Sequence, residues 1–206
     1  KYLLFIFSFL IKNKLFKRLK SFPLILIKYD CKGKLKKITI NSINNKNQFS
    51  CYKLYNRNNN FLLKPEIESF EVLKGIEQFS FPIIDSVFKY KDWKVISTIN
   101  KLGFYSVPNK PLPNKNIIKA LVSLISKSIK TTYINKTKSY KCLAHGDFTP
   151  WNIRENENFD KKILIYDWEY SFSNATIFYD LFYYIFMTSH ALKKDIPSNE
   201  KVISTF

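Results

Sequence analysis

Three residues in the last third of the chain have types and spacing that could do chemistry. Asp147 and Asn152 are five positions apart, and an apolar run at Lys162–Tyr166 delivers Asp167 fifteen positions after Asn152. Two carboxylates and an amide in this layout suit phosphoryl transfer. One carboxylate accepts the proton of an attacking hydroxyl, while an amide oxygen and a second carboxylate hold Mg²⁺ against the phosphates of a nucleotide. Mg²⁺ wants hard oxygen donors and needs few from the protein, because phosphates and water supply the rest. Asp-x-x-x-x-Asn says little by itself, since 19 of the 206 residues are Asn and chance pairs are expected. The neighbours add the weight: His145-Gly146 before Asp147, Pro150-Trp151 before Asn152, and a strand ending in Asp167-Trp168-Glu169. The competing reading is turn chemistry, a polar loop between buried strands with Asp167 closing one of them.

His145-Gly146-Asp147-Phe148-Thr149-Pro150-Trp151-Asn152, followed by Ile165-Tyr166-Asp167-Trp168-Glu169, resembles the signature of the aminoglycoside phosphotransferase and choline kinase family. Relatives of this form are found among bacterial polysaccharide-biosynthesis phosphotransferases. The match is sharp over about 25 residues, while the rest of the chain follows the family in its order of elements. The resemblance implies an α+β, two-lobed protein-kinase-like fold with a small β-rich N-lobe and a helical C-lobe. It implies ATP as phosphoryl donor, Mg²⁺ as cofactor, Asp147 as the base that orients and deprotonates the acceptor hydroxyl, and Asn152 and Asp167 as metal ligands. His145 reads as a loop-setting residue and Asp180, a polar residue on an aromatic helix, as a buttress of the loop. Glu169 is open between support of the metal shell, contact with a basic substrate, and a solvent-facing position.

The elements that must position these residues follow in order. Leu24–Tyr29, Leu35–Asn41 and Phe49–Tyr55 read as strands, with a turn at Cys31-Lys32-Gly33-Lys34. Pro65 opens a helix with Glu66, Glu68 and Glu71 near its start and an apolar face of Ile67, Phe70, Val72, Leu73 and Ile76. Ile83–Tyr90 and Trp93–Ile99 flank Lys91-Asp92 as a hairpin. This order matches the small lobe that the resemblance implies, so residues 1–100 are expected to be a β-rich nucleotide-binding lobe, with the hinge near Asn100–Gly103. Residues 101–206 form the helical lobe with the catalytic loop. There a Pro-containing stretch leads to an amphipathic helix at 116–130, a Ser/Thr/Lys-rich link at 131–141, a short strand Cys142–Ala144, and an aromatic-rich helix at Ala175–Leu192. The chain stops at Phe206 soon after that pattern, which leaves open a C-terminal truncation.

Kinase-like folds pair a strand lysine with a helix glutamate at the nucleotide phosphates. Lys53, between apolar neighbours and fifteen residues before Glu68, is the expected lysine, with Lys37 as competitor; the glutamate is Glu68 or Glu71. Only four glycines occur, at 33, 75, 103 and 146, so no Gly-x-Gly-x-x-Gly loop exists, which argues against a protein kinase more than against ATP binding.

Hydrophobic content of 46% marks a globular chain. A net charge of +18, carried by Lys with Arg only at 18, 57 and 154, reads as solvated faces rather than nucleic-acid recognition, which leans on Arg forks. Three scattered cysteines offer no zinc spacing or disulfide framework and fit a cytoplasmic protein. Tyr2–Ile11 is too short to span a bilayer and reads as an element packed on the first lobe rather than a membrane-surface contact. The partners expected are a nucleoside triphosphate and a small-molecule hydroxyl: a sugar, an amino alcohol or an aminoglycoside. The alternative is a catalytically inactive or truncated kinase-like module that binds nucleotide or a partner.

Overall fold

The computed structural model describes residues 24–30, 37–43, 48–56, 61–77, 79–80, 82–90, 92–101, 104–134, 137–156 and 162–204. The expected N-terminal packed element, the turn at 31–34 and the end of the expected hinge at 102–103 lie outside them. The chain forms two compact units, one of Lys1–Asn60 with Ile83–Leu102 and one of Phe61–Pro82 with Gly103–Phe206.

The first unit is an antiparallel sheet of β1 (Leu24–Asp30), β2 (Lys37–Ile43), β3 (Gln48–Tyr55), β5 (Ile83–Tyr90) and β6 (Trp93–Lys101), in the order β1-β2-β3-β6-β5. Period-two burial on β2 puts Ile38, Ile40 and Ser42 inside while their neighbours are only half-buried. On β3 and β6 the buried residues are consecutive, Tyr52–Tyr55 and Val95–Thr98, which requires cover on both faces. β5 carries an irregularity between Ile84 and Ser86, where the Asp85 carboxylate accepts from the hydroxyls of Ser86 at 3.2 Å and Ser97 at 3.3 Å.

The second unit starts with helix α1 (Leu63–Leu73) and β4 (Phe79–Ser80). The expectation put both in the N-terminal lobe. Their contacts put them in the second unit, because the buried face of α1 is Leu63, Glu66, Ser69, Phe70 and Leu73 rather than the Ile67/Val72 side. Ser69 adds a polar tie on that face. Its hydroxyl lies 2.7 Å from that of Ser171, and both reach the Pro65 carbonyl, at 2.8 and 3.1 Å.

Two sheets follow. β4, β7 (Phe104–Ser106), β10 (Ile153–Asn156) and β11 (Ile163–Ile165) form one, in the order β4-β11-β10-β7. β8 (Lys130–Ile134), β9 (Thr137–Ala144) and β12 (Phe172–Thr176) form the other, in the order β12-β9-β8. The link expected at 131–141 is thus a β8–β9 hairpin, paired from Lys130↔Lys141 to Ile134↔Thr137, over a stretch whose sequence is rich in Lys, Thr and Ser. Ala175 and Thr176, expected in a helix, are strand residues paired with Cys142 and Lys141.

Helix α2 (Lys115–Ser128) is capped by the Asn114 side chain, which accepts from the Ile117 N–H at 3.0 Å. Glu155 of β10 accepts from the side-chain amides of Asn114 and Asn116, tying the helix start to the sheet. Ile117, Ile118, Ala120, Leu121 and Leu124 are its buried face. Cys142, Ala144 and Ala175 form a small buried cluster beneath Ile125 and Tyr179, so Cys142 is packing, and burial raises its thiol pKa. Helices α3 (Tyr179–Ala191) and α4 (Asn199–Ile203) end the unit. Among the described residues no helix is long and apolar enough to cross a membrane.

Leu54 is fully buried at the centre of the five-stranded sheet. Leu54→Ala is expected to cost about 2–5 kcal/mol of stability, by lost transfer energy and the cavity left behind. Urea unfolding of the variant checks this.

Candidate functional site

The loop at 145–152 leaves the end of β9 and is held from beneath. The N–H groups of His145 and Gly146 donate to the two carboxylate oxygens of Asp180, at 2.7 and 3.1 Å. Asp180 sits in the first turn of α3 and is buried. Burial pushes its pKa up to about 6, against the lowering effect of those two N–H donors; the nearby Asp147 charge adds to the rise. It is the buttress expected of a polar residue in an aromatic helix.

His145 is fully buried, with its ring edge-on to Trp168 at 4.7 Å. Its Nδ1 accepts the Asp147 N–H at 3.1 Å, so Nε2 carries the proton and donates to the Tyr166 carbonyl at 2.6 Å. A neutral imidazole therefore ties the loop to the end of β11, a structural role. Gly146 has φ +82, and a Cβ there would lie 2.3 Å from the Tyr170 carbonyl oxygen. Only glycine allows that approach.

Pro150–Asn152 form a single 3-10 turn, closed by Asn152 N–H donating to the Thr149 carbonyl at 3.0 Å. β10 then begins. It pairs with β11 in the register Ile153↔Ile165, and the Tyr166 N–H donates to the Asn152 carbonyl at 3.0 Å. Asn152 and Asp167 consequently sit at the same end of one hairpin. Asp167 is left-handed (φ 59), a conformation Asp tolerates better than most, and it leads into the 3-10 turn Trp168–Tyr170. The buried indole of Trp168 donates to the Ile165 carbonyl at 3.1 Å and pins that turn.

The Asn152 Nδ2 donates to the Asp147 carbonyl and to Asp147 Oδ2, both at 2.9 Å. With its amide hydrogens so used, its Oδ1 faces away from Asp147. Two acceptors opposite one amide group also fix which atom is nitrogen. Asp147 Oδ1 accepts from the Tyr183 hydroxyl at 3.3 Å. Burial raises the Asp147 pKa, the Asn152 and Tyr183 hydrogen bonds oppose the rise, and the charges of Asp167 and Glu169 add to it. The hairpin end thus gathers three carboxylates, one buried amide and one phenol. Among the described residues no group of three or more His, Cys, Asp or Glu forms a metal cage.

Lys53 is buried on β3 of the first unit. In the second unit Glu68 is exposed and lies 3.6 Å from Lys64, and Glu71 is exposed and 2.6 Å from Lys74. The buried carboxylate of α1 is Glu66, which the sequence reading passed over because a Glu in a first helical turn suits the macrodipole wherever it points. Tyr183 was also missed. The signal was its spacing, three residues after Asp180, which puts both on one face of a helix.

The chain is similar to solved structures of aminoglycoside phosphotransferases. The GDP and kanamycin complex of APH(2")-IIia matches with TM-score 0.53 and 12% identity over 92% of this chain and 86% of that one. The GDP complex of a mutant aminoglycoside 2'-phosphotransferase IIIa matches with TM-score 0.51 and 13% identity, covering 94% and 85%. A thermostable mutant of APH(4)-Ia in its apo form matches with TM-score 0.51 and 6% identity, covering 78% and 72%. No family profile and no curated protein sequence matches. At these identities the likeness establishes the fold: this chain has the mixed α+β, kinase-like fold of those structures.

Two measurements follow from the loop. Gly146→Ala should destabilise by about 2 kcal/mol or more, because backbone cannot move aside and the φ is strained for Ala; thermal unfolding reads this. For Asp180, an acid with a raised folded pKa binds more protons folded than unfolded, so its contribution to stability falls as pH rises from about 4 to about 6. The Tm difference between wild type and Asp180→Asn should therefore be largest near pH 4, shrink between about pH 4 and about pH 6, and level off above.

Proposed function

We propose that this protein is a small-molecule kinase, transferring the γ-phosphoryl group of a nucleoside triphosphate to a hydroxyl of a sugar, an amino alcohol or an aminoglycoside-like acceptor. The observation that carries this reading is the doubly bonded Asp147–Asn152 pair with Asp167 at the same hairpin end, in a fold shared with phosphotransferases.

Asp147 is the proposed base. Its burial raises its affinity for a proton, and the Asn152 amide fixes its Oδ2 side. As the acceptor oxygen attacks the γ-phosphorus and the bond to the β-phosphate breaks, the hydroxyl proton passes to this carboxylate. Phosphoryl transfer asks mainly for position and charge balance, which a carboxylate with fixed geometry provides.

The donor chemistry fits Mg²⁺. The Asn152 Oδ1 turned away from Asp147 and the Asp167 carboxylate are hard oxygen donors, and two protein donors suffice where phosphates fill the remaining positions. When bound, Mg²⁺ would neutralise charge on the transferring phosphates. Glu169, buried beside this set, adds negative charge toward the same end. Lys53 is the proposed cation for the nucleotide phosphates. On α1 the candidates are the expected Glu68 and Glu71, both exposed, with the buried Glu66 as a third carboxylate of that helix. Nucleotide affinity of Glu66→Gln, Glu68→Gln and Glu71→Gln separates them.

ATP was the expected donor. Two of the similar structures are complexes with GDP, so guanine nucleotides belong in the test. The scattered cysteines keep the expectation of a cytoplasmic enzyme. A role in building polysaccharide precursors rests on the form of the loop motif alone.

Mg·ATP or Mg·GTP should raise the Tm of the wild type. Asp147→Asn should lower transfer by roughly 10²–10⁴-fold while changing nucleotide affinity little. Asp167→Asn should weaken Mg·nucleotide affinity as well as rate. Triphosphate consumption with a panel of sugars, amino alcohols and aminoglycosides, and calorimetry with Mg·ATP and Mg·GTP, measure these. Nucleotide binding without any turnover would favour a binding module instead. Full activity in Asp147→Asn would remove Asp147 as the base.

A further inference from the structure

Asp147 carries one donor on each carboxylate oxygen. Asn152 Nδ2 holds Oδ2 at 2.9 Å, and the Tyr183 hydroxyl holds Oδ1 at 3.3 Å. Two donors on opposite oxygens fix the rotation of a carboxylate, whereas one leaves it free to swing. Tyr183 comes from α3, the helix whose Asp180 accepts the N–H groups of His145 and Gly146. Asp180 and Tyr183 are three apart, so one helix face grips the loop by its backbone and the carboxylate by its side chain. The phenol is itself held. Its ring stacks on Tyr179 at 6.1 Å and 24°, and Tyr179 meets the Phe172 ring edge-on at 5.2 Å.

We propose that Tyr183 is a positioning residue: its hydroxyl aims the Asp147 carboxylate for proton acceptance from the acceptor hydroxyl. The inference rests on the reading of Asp147 as the base. Donation is constant across the working range, because burial and the Asp147 charge push the Tyr183 pKa up to about 12 and the phenol keeps its proton. The geometry also assigns the two sides of Asp147 different duties. Asn152 belongs to the hairpin end with Asp167, while Tyr183 belongs to the aromatic helix.

The test uses the full chain and Mg·ATP with water and the acceptor panel, and combines Tyr183→Phe with Asp147→Asn in a kinetic cycle and with Asp147→Ala in a stability cycle. In the kinetic cycle, Tyr183→Phe alone should lower kcat about 5–20-fold with KM for ATP within about twofold, the loss expected when a reacting group is misaimed. In the Asp147→Asn background the same substitution should cost less than about twofold, since a residue acting through Asp147 has nothing left to aim. An additive loss, or a Tyr183→Phe enzyme with wild-type kcat, overturns the proposal. In the stability cycle, read by thermal unfolding, Tyr183→Phe and Asp147→Ala should be non-additive, because each removes one end of the same hydrogen bond. Additivity there overturns the bond itself. A wild type that turns over no ATP with water or with any acceptor of the panel, with a non-additive stability cycle, sinks the kinase reading, and with it the aiming role, while the bond survives.

Discussion

The Asp180 carboxylate beneath the 145–152 loop is the interaction on which the site depends. Two adjacent backbone N–H groups point into a buried place where water cannot serve them, and each unsatisfied one costs about 1–3 kcal/mol. A single carboxylate accepts both. The fold accepts desolvation of that carboxylate, visible in its pKa of about 6, because the alternative is two orphaned donors. Delivering it takes local strain: Phe178 adopts φ 65 where the chain turns from β12 into α3. A bulky residue holds that conformation at a cost of about 1–2 kcal/mol.

With the loop anchored, its remaining bonds act as a frame. His145 links the loop to β11 through Tyr166, and Tyr166 in turn links β11 to Asn152. Gly146 lets the loop approach Tyr170 closely enough for this circuit to close. Each of these residues is buried or tied to backbone, so Asp147, Asn152 and Asp167 have little freedom to rearrange. That rigidity suits chemistry in which positioning supplies most of the rate.

Polar groups also govern how α1 seats in the second unit. Ser69, Ser171 and the Pro65 carbonyl form a short chain of hydrogen bonds between the helix and the turn that follows Asp167. The helix therefore senses the segment that carries Asp167 through specific bonds as well as through Leu63, Phe70 and Leu73. Apolar burial alone would allow the helix to slide; hydroxyls with directional partners hold its register.

Local chemistry made much of this protein legible in sequence. Apolar runs and one alternating stretch marked the five strands of the first sheet to within a few positions, and Ile117, Ile118 and Leu121 marked α2 by their helical period. The spacing of Asp147, Asn152 and Asp167 drew attention to this segment; the β10–β11 register places Asn152 and Asp167 at one hairpin end, and Asn152 bonds Asp147. Tertiary structure alone decided the rest. The β8–β9 hairpin is held by pairing rather than by apolar alternation, so its Lys, Thr and Ser read as a link. Glu66 differs from Glu68 only in the side of α1 it occupies, which no local pattern of acidic residues can reveal. Tyr183 looks like one more aromatic in an aromatic helix until the fold brings it to Asp147, 36 residues earlier in the chain. Periodicity and turn chemistry are written over a few adjacent residues; a single hydrogen bond across such a distance leaves no period to read.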